Sequence, residues 1–415
     1  MKLTDIPAVT IPDILLPREG TDLRKWAVIA CDQYTSEPEY WEECDKTVGD
    51  APSTLRVVLP EVKLGLETPE QIEEDLKQIA NNIDTYMDSG VWSSPKEGFI
   101  ITDRATSLHP SRRGIMIAVD LEQYEFKPGN KALIRATEGT VLSRIPPRVK
   151  IRANAKVELP HIMLLYDDPE DKVIGNALKN DLTVIYDTDL MQGSGHITGR
   201  FAPAGSEAAN GIISDLKTLI SSDGLLFAVG DGNHSLASAK AHWENVRESV
   251  PEDQRATHPA RFALAEAVNI HDKGLDFEPI HRVIFDITKD EFLSKAEEFF
   301  GADNMASDGE GQSFVLVSEG SEDVNITLKN PPHTLAVGSV QMLIDNFSLN
   351  CDYIHGEDSV RKLAVNNAVG ILVPGISKDT FFSTIETEGV FPRKTFSMGE
   401  AFEKRFYLEA RKITL

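Results

Sequence analysis

The 415-residue chain sets 42 Lys+Arg against 66 Asp+Glu, a formal net charge of −24, with 41% hydrophobic and 26% charged residues. This describes a globular protein with length for about two or three domains, and its acidity argues against a general nucleic-acid or anionic-membrane surface while leaving room for a local basic pocket. Cys31, Cys44 and Cys351 form no CxxC pair and give no zinc signature. The Pro-broken, acid-bearing start MKLTDIPAVTIPDILLP is not a signal peptide, and no apolar run approaches the ~18 residues of a membrane span, so the expected location is cytoplasmic.

In chain order, Trp26–Cys31 (WAVIAC) is predicted as a short buried strand, Pro38–Asp45 as a helix with Trp41 inward, and Arg56–Val62 as another strand. Thr68 caps a helix with Pro69 at its first position. Ile72, Leu76, Ile79, Ile83 and Tyr86 keep helical spacing to Gly90, which makes Glu70, Glu73, Glu74 and Asp75 a solvated face and not a metal cluster. Gly98–Arg104, Arg113–Asp120 and Ala132–Thr137 carry β patterning. The segment from Arg135 to Arg152 is locally basic: Arg135, Arg144, Arg148, Lys150 and Arg152 suit a phosphate or carboxylate, unless they simply pair with the surplus acids. His161–Tyr166 and Leu182–Asp187 read as strands around a helix at Asp168–Leu178. Gln192–His196 reads as a hairpin tip continued by Ile197–Phe201, and Ala208–Ile220 as a helix.

The stretch LLFAVGDGNHSLASAK, Leu225–Lys240, runs from a buried strand through Gly230-Asp231-Gly232-Asn233-His234-Ser235 into a helix. Leu236, Ala239, Trp243 and Val246 share that helix's inner face. The first turn of a helix leaves N–H groups unpaired and favours negative charge. Asp231 or Asn233 is expected to cap it, while the two glycines let a ligand approach the backbone. The alternative is an ordinary strand–turn–helix connection. Arg261–Ile270 follows as a core strand. A second unit then combines helices at Glu291–Phe300, Leu335–Phe347, Val360–Asn366 and Lys378–Glu386 with strands at Phe314–Val317, Val324–Leu328, Cys351–His355 and Ala368–Val373. The expected organisation is a main unit, 1–288, carrying the turn, and a C-terminal α/β unit, 289–415. The fold class is α/β, or α+β with mixed sheets.

Several stretches, in order, resemble the family known as domain of unknown function 1015. Its patterns R-x-H-E-R-T, LLY, D-G-H-H-R, T/I-H-R, Y-x-H-x-x-E/D and P-x-K-S-T correspond here to Arg135–Thr140, Leu164–Tyr166, Asp231–Ser235, Ile280–Arg282, Tyr353–Asp358 and Pro392–Thr395. The chain departs from the pattern with Thr137 and Asn233 for His, and with Gly139 and Ser235 for Arg. The D-G-H-H-R turn is similar to a motif of ParB/sulfiredoxin-type proteins, free-serine kinases among them, whose turn holds nucleotide phosphates. The resemblance thus implies a ParB/sulfiredoxin-like βα unit around 225–247.

Two functional readings follow. In the first, the chain is a nucleotide-dependent phosphotransferase acting on a small hydroxyl metabolite, with ATP or ADP and Mg²⁺. The N–H groups of Asn233, His234 and Ser235 cradle phosphate beside Gly232. Arg135, Arg144, Arg148, Lys394 and His355 assist, Glu138 is the base, His234 bonds a phosphate oxygen, and Asp231 ligates the metal. Glu138, Arg148, His234 and one of His355 or Lys394 are expected to converge on one cleft. In the second reading, the chain is a non-catalytic nucleotide- or anion-binding regulatory protein, favoured by the missing His and Arg side chains. Metal hydrolysis through His196, His234, His281 and His355 lacks ligand spacing. The expected partner is a small anionic molecule, not nucleic acid or membrane, in a chain able to form a homo-oligomer.

Overall fold

Along Lys96–Ala105 the pleat sends Phe99 and Ile101 into one apolar layer and Ile100 into another, so both faces of the sheet they belong to must be covered. The computed structural model describes residues 1–139 and 145–415. It divides into two compact units, Met1–Leu275 with Glu400–Leu415, and Asp276–Gly399. The first unit contains β1 (Lys2–Leu3), β2 (Val9–Ile11), β3 (Asp13–Ile14), β4 (Lys96–Ala105), β5 (Arg112–Asp120), β6 (Tyr124–Glu125), β7 (Ile134–Arg135), β8 (Val157–Glu158), β9 (Met163–Tyr166), β10 (Thr183–Asp189), β11 (His196–Pro203), β12 (Phe227–Asp231) and β13 (Phe262–Asn269). Among the described residues twelve strands form one mixed sheet, ordered β10-β11-β4-β5-β13-β9-β12-β7-β6 with β1, β2 and β3 attached at its side. β12 lies inside it, antiparallel to β9 and parallel to β7. One face packs on the helices Glu207–Thr218 and Asn233–Arg247. The other meets Trp26, Trp41 and Ile83 together with Phe406, Tyr407 and Leu408 of the returning C-terminus.

The helix at Pro69–Asp88 forms with the expected cap, Thr68 and Gln71 bonding reciprocally across the first turn. Two predicted strands do not form. Asp22 caps a short helix at Leu23–Trp26, and Ser53 caps a 3₁₀ turn at Thr54–Arg56. The buried run after Trp26 satisfies its backbone elsewhere: the Thr54 hydroxyl accepts the Val28 N–H at 3.2 Å, and Val28 O and Ala30 N bond Tyr407 N and Arg405 O at 2.8 Å each. Apolar character there reports burial and not a ladder. The chain's final segment is therefore a strap across the first unit.

The second unit carries a seven-stranded antiparallel sheet with Ala368–Leu372 and Phe277–Phe285 at its centre. Helices Lys289–Phe300 and Ala336–Asn346 cover one face, and Val360 of Glu357–Leu363 packs on the other. This division begins earlier than residue 289, since Phe277–Phe285 pairs within that sheet, and it returns Glu400–Leu415 to the first unit. Among the described residues no helix is long and apolar enough to cross a membrane.

Burial and the Arg152 charge push the His242 imidazole, in helix Asn233–Arg247, down to about 4. The unfolded chain therefore binds one more proton between about pH 6.5 and 4, so His242 contributes stability above 6.5 that is lost as pH falls through that window. Urea titrations between pH 7 and 4 are expected to show this loss, and His242→Phe to flatten it.

Candidate functional site

Gly232 carries the chain from β12 into helix Asn233–Arg247 with φ +81°, a conformation L side chains rarely adopt, and a Cβ there would stand 3.1 Å from the Ile162 Cα. The helix begins where the sequence places it. The expected side-chain cap is absent: Gly232 is itself the cap residue. Asp231 turns back instead, accepting the Gly232 N–H at 2.8 Å and lying 3.2 Å from Lys404 Nζ. Burial pushes the Asp231 carboxyl up, but Lys404, His161 and the Gly232 N–H outweigh it and hold it below the usual carboxylate range. The first-turn N–H groups of Asn233, His234 and Ser235 have no carbonyl within their own helix to meet.

The parallel register pairs Phe227 with Ile134 and Ala228 with Arg135. Thr137 and Glu138, just past β7, therefore leave the sheet at the edge where Asp231 leaves β12. Asn233 accepts the Thr137 N–H and donates to its hydroxyl, both at 3.2 Å, while Thr137 donates to Val229 O at 2.6 Å. Thr137 and Asn233, which the resemblance sets against His, thus bond each other. Glu138 is half-buried beside them, as is His234, whose carbonyl accepts from Ser238 at 2.7 Å.

Ser235 Oγ lies 2.8 Å from His161 Nε2, His161 Nδ1 lies 2.7 Å from the Tyr407 hydroxyl, and that hydroxyl accepts the Cys31 N–H at 3.1 Å. A hydroxyl, an imidazole and a group orienting the imidazole can move a proton. All three line a cavity of about 510 Å³ within the first unit, which Arg148, Lys150 and Arg152 also line. Burial pushes the neighbouring Cys31 thiol up to about 12, which makes it a poor nucleophile.

Of the expected basic residues, Arg135 does not reach the site. It is 2% exposed, donates to Ala132 O and Asp223 O, and pairs with the Asp223 carboxylate at 2.8 Å, so its guanidinium is consumed in holding a loop. Arg144 lies outside the described residues. Arg148 lines the cavity and pairs with Glu61, and Arg152 pairs with Glu158. His355 and Lys394 belong to the second unit and are exposed there, Lys394 at a positive φ with its carbonyl accepting from Arg282 at 3.0 Å. As for a metal, Asp231 is engaged by Lys404, and among the described residues no three His, Cys, Asp or Glu side chains cluster to hold an ion. Sequence reasoning missed His161, Lys404 and Tyr407. The first lies two residues before β9, whose Met163 pairs with Asp231, and the others lie on the C-terminal strap.

These features define a mixed α/β protein whose interior strand feeds a helix N-terminus through a left-handed glycine. The chain belongs to the family described as Protein of unknown function (DUF1015), whose model matches residues 15–347. No curated protein matches it. Among solved structures it is similar to C-terminally truncated SbnI from Staphylococcus aureus, at 9% identity and TM-score 0.39 over 72% of this chain and 87% of that one. It is also similar to a free serine kinase variant in complex with ADP, at 12% identity and TM-score 0.38 over 72% and 92%. A conserved hypothetical protein from Pyrococcus furiosus matches at 10% identity and TM-score 0.34, over 72% and 95%. Likeness this distant carries no argument about chemistry.

Proposed function

We propose that the first unit holds the phosphates of a nucleotide at the Asp231–Ser235 turn and transfers a phosphoryl group to a hydroxyl compound. The observation that carries this reading is the helix N-terminus entered through Gly232 at the edge where the parallel β7 and β12 end, an arrangement suited to phosphate. The N–H groups of Asn233, His234 and Ser235 bind phosphate oxygens, and Lys404 balances the Asp231 charge against the incoming anion. Glu138 takes the acceptor's proton. Mg²⁺ would supply charge neutralisation beside the phosphates, but both Asp231 oxygens are engaged by the Gly232 N–H and Lys404 and no carboxylate cluster forms among the described residues, so no step runs through the ion.

Calorimetric titration of ATP and ADP, with and without Mg²⁺, tests the reading. Binding is expected for wild type and for Ser235→Ala, which keeps its amide, and the absence of binding in wild type overturns it. A second reading, binding without turnover, is favoured by the bonding of Thr137 to Asn233 and of Ser235 to His161, which commits the replaced family positions to one another and to the scaffold. ATP bound but not consumed with any hydroxyl acceptor would favour it.

A further inference from the structure

Helix Pro69–Asp88 has an apolar stripe, Ile72, Leu76, Ile79 and Ile83, of which only Ile83 is fully buried. The stripe lines the 510 Å³ cavity, with Val157 and Leu264 also in its wall. A cavity of this size lies within the range of about 300–1,000 Å³ typical of small-molecule sites. Its polar groups include Ser235, His161 and Tyr407 with a charged part of the wall that includes the Arg148–Glu61 and Arg152–Glu158 pairs and Lys150, and Ser235 belongs to the first turn of helix Asn233–Arg247. The walls therefore suit a hydrocarbon or ring system, while the hydrogen-bonded groups suit a hydroxyl or its phosphate ester.

We propose that this cavity takes the body of the acceptor, so that the substrate is an amphipathic alcohol and not a small, fully polar metabolite. Its apolar part lies against Leu76 and Ile79. Its hydroxyl meets Ser235, whose own N–H belongs to the phosphate turn, and His161, which in this arrangement takes the acceptor's proton in place of Glu138, a residue that does not line the cavity. The inference deepens the phosphoryl-transfer reading and rests on it for the fate of the hydroxyl. The cavity's preference for an apolar body stands on the lining alone.

The test is calorimetric titration of the full chain with octyl phosphate, 1-octanol, inorganic phosphate and ADP. Octyl phosphate is expected to bind at least about tenfold more tightly than inorganic phosphate, because the chain leaves water. Leu76→Trp, which fills the cavity, is expected to remove that advantage while leaving the response to inorganic phosphate unchanged. The wild-type comparison needs no variant to fold. Equal affinity for octyl phosphate and inorganic phosphate overturns the proposal, as does an unchanged advantage in folded Leu76→Trp. Binding of phosphate and ADP with indifference to the octyl group removes this proposal alone. Binding of 1-octanol without phosphate or ADP keeps the cavity and removes phosphoryl transfer, and no binding of any probe removes both.

Discussion

Arg405→Met is expected to lower the unfolding free energy by about 3–5 kcal/mol, the usual cost of removing one partner from a buried ion pair. Arg405 is 4% exposed, and its guanidinium pairs with Glu266 at 2.7 Å and with Glu409, and donates to Pro160 O at 3.0 Å. Thr102 donates to Glu266 at 2.6 Å, and Tyr186 to Glu409. Burial pushes the Glu266 carboxyl up, but Arg405 and then Arg112 outweigh it and hold it below the ordinary value. Without Arg405 two buried carboxylates lose their main countercharge. The sign follows from linkage: the wild-type pair contributes stability above the unfolded carboxylate pKa, which is lost as pH falls through the depressed folded value. The deficit of the variant should therefore be largest near neutral pH and shrink in acid as Glu266 protonates. Urea unfolding at pH 7 and pH 4 measures it. A deficit below about 1 kcal/mol at pH 7, in the range of an exposed pair, would mean that this network does not secure the C-terminal strap.

That strap also decides what the sequence discloses about the site. The strand, Gly turn and helix at 227–247 are legible because their signals are local: an apolar run, glycines flanking Asp231, and a 3.6-residue apolar period. Thr68 and Pro69 announce their helix for the same reason. His161 and Tyr407 meet across a sequence separation of 246 residues, and nothing in either neighbourhood announces the other. Residue type also misleads where burial decides the role. Arg135 looks like a phosphate ligand until Asp223, 88 residues away, is seen to consume it. Trp26–Cys31 looks like a strand because apolar patterning registers burial, while the backbone partners that distinguish strand from strap come from the far end of the chain.

Gly232→Val is expected to abolish phosphate and ADP binding and to cost about 1–2 kcal/mol of stability, the penalty for an L residue held in the left-handed region. The φ of +81° sets the penalty, and the 3.1 Å approach of a Cβ to the Ile162 Cα adds to it because backbone must shift to relieve it. Relief by rotating φ would re-aim the N–H groups of Asn233, His234 and Ser235, the very donors assigned to phosphate. Binding should therefore fall further than stability. Gly232→Asn separates the two effects, since Asn tolerates the left-handed conformation better than a β-branched residue. It should recover most of the stability while its Cβ still presses on Ile162, leaving binding only partly restored. Ser235→Arg forfeits the bond to His161 and should tighten phosphate through a charge-assisted hydrogen bond of about 1.5–3 kcal/mol. Phosphate bound by folded Gly232→Val as tightly as by wild type would place the anion site elsewhere than this turn.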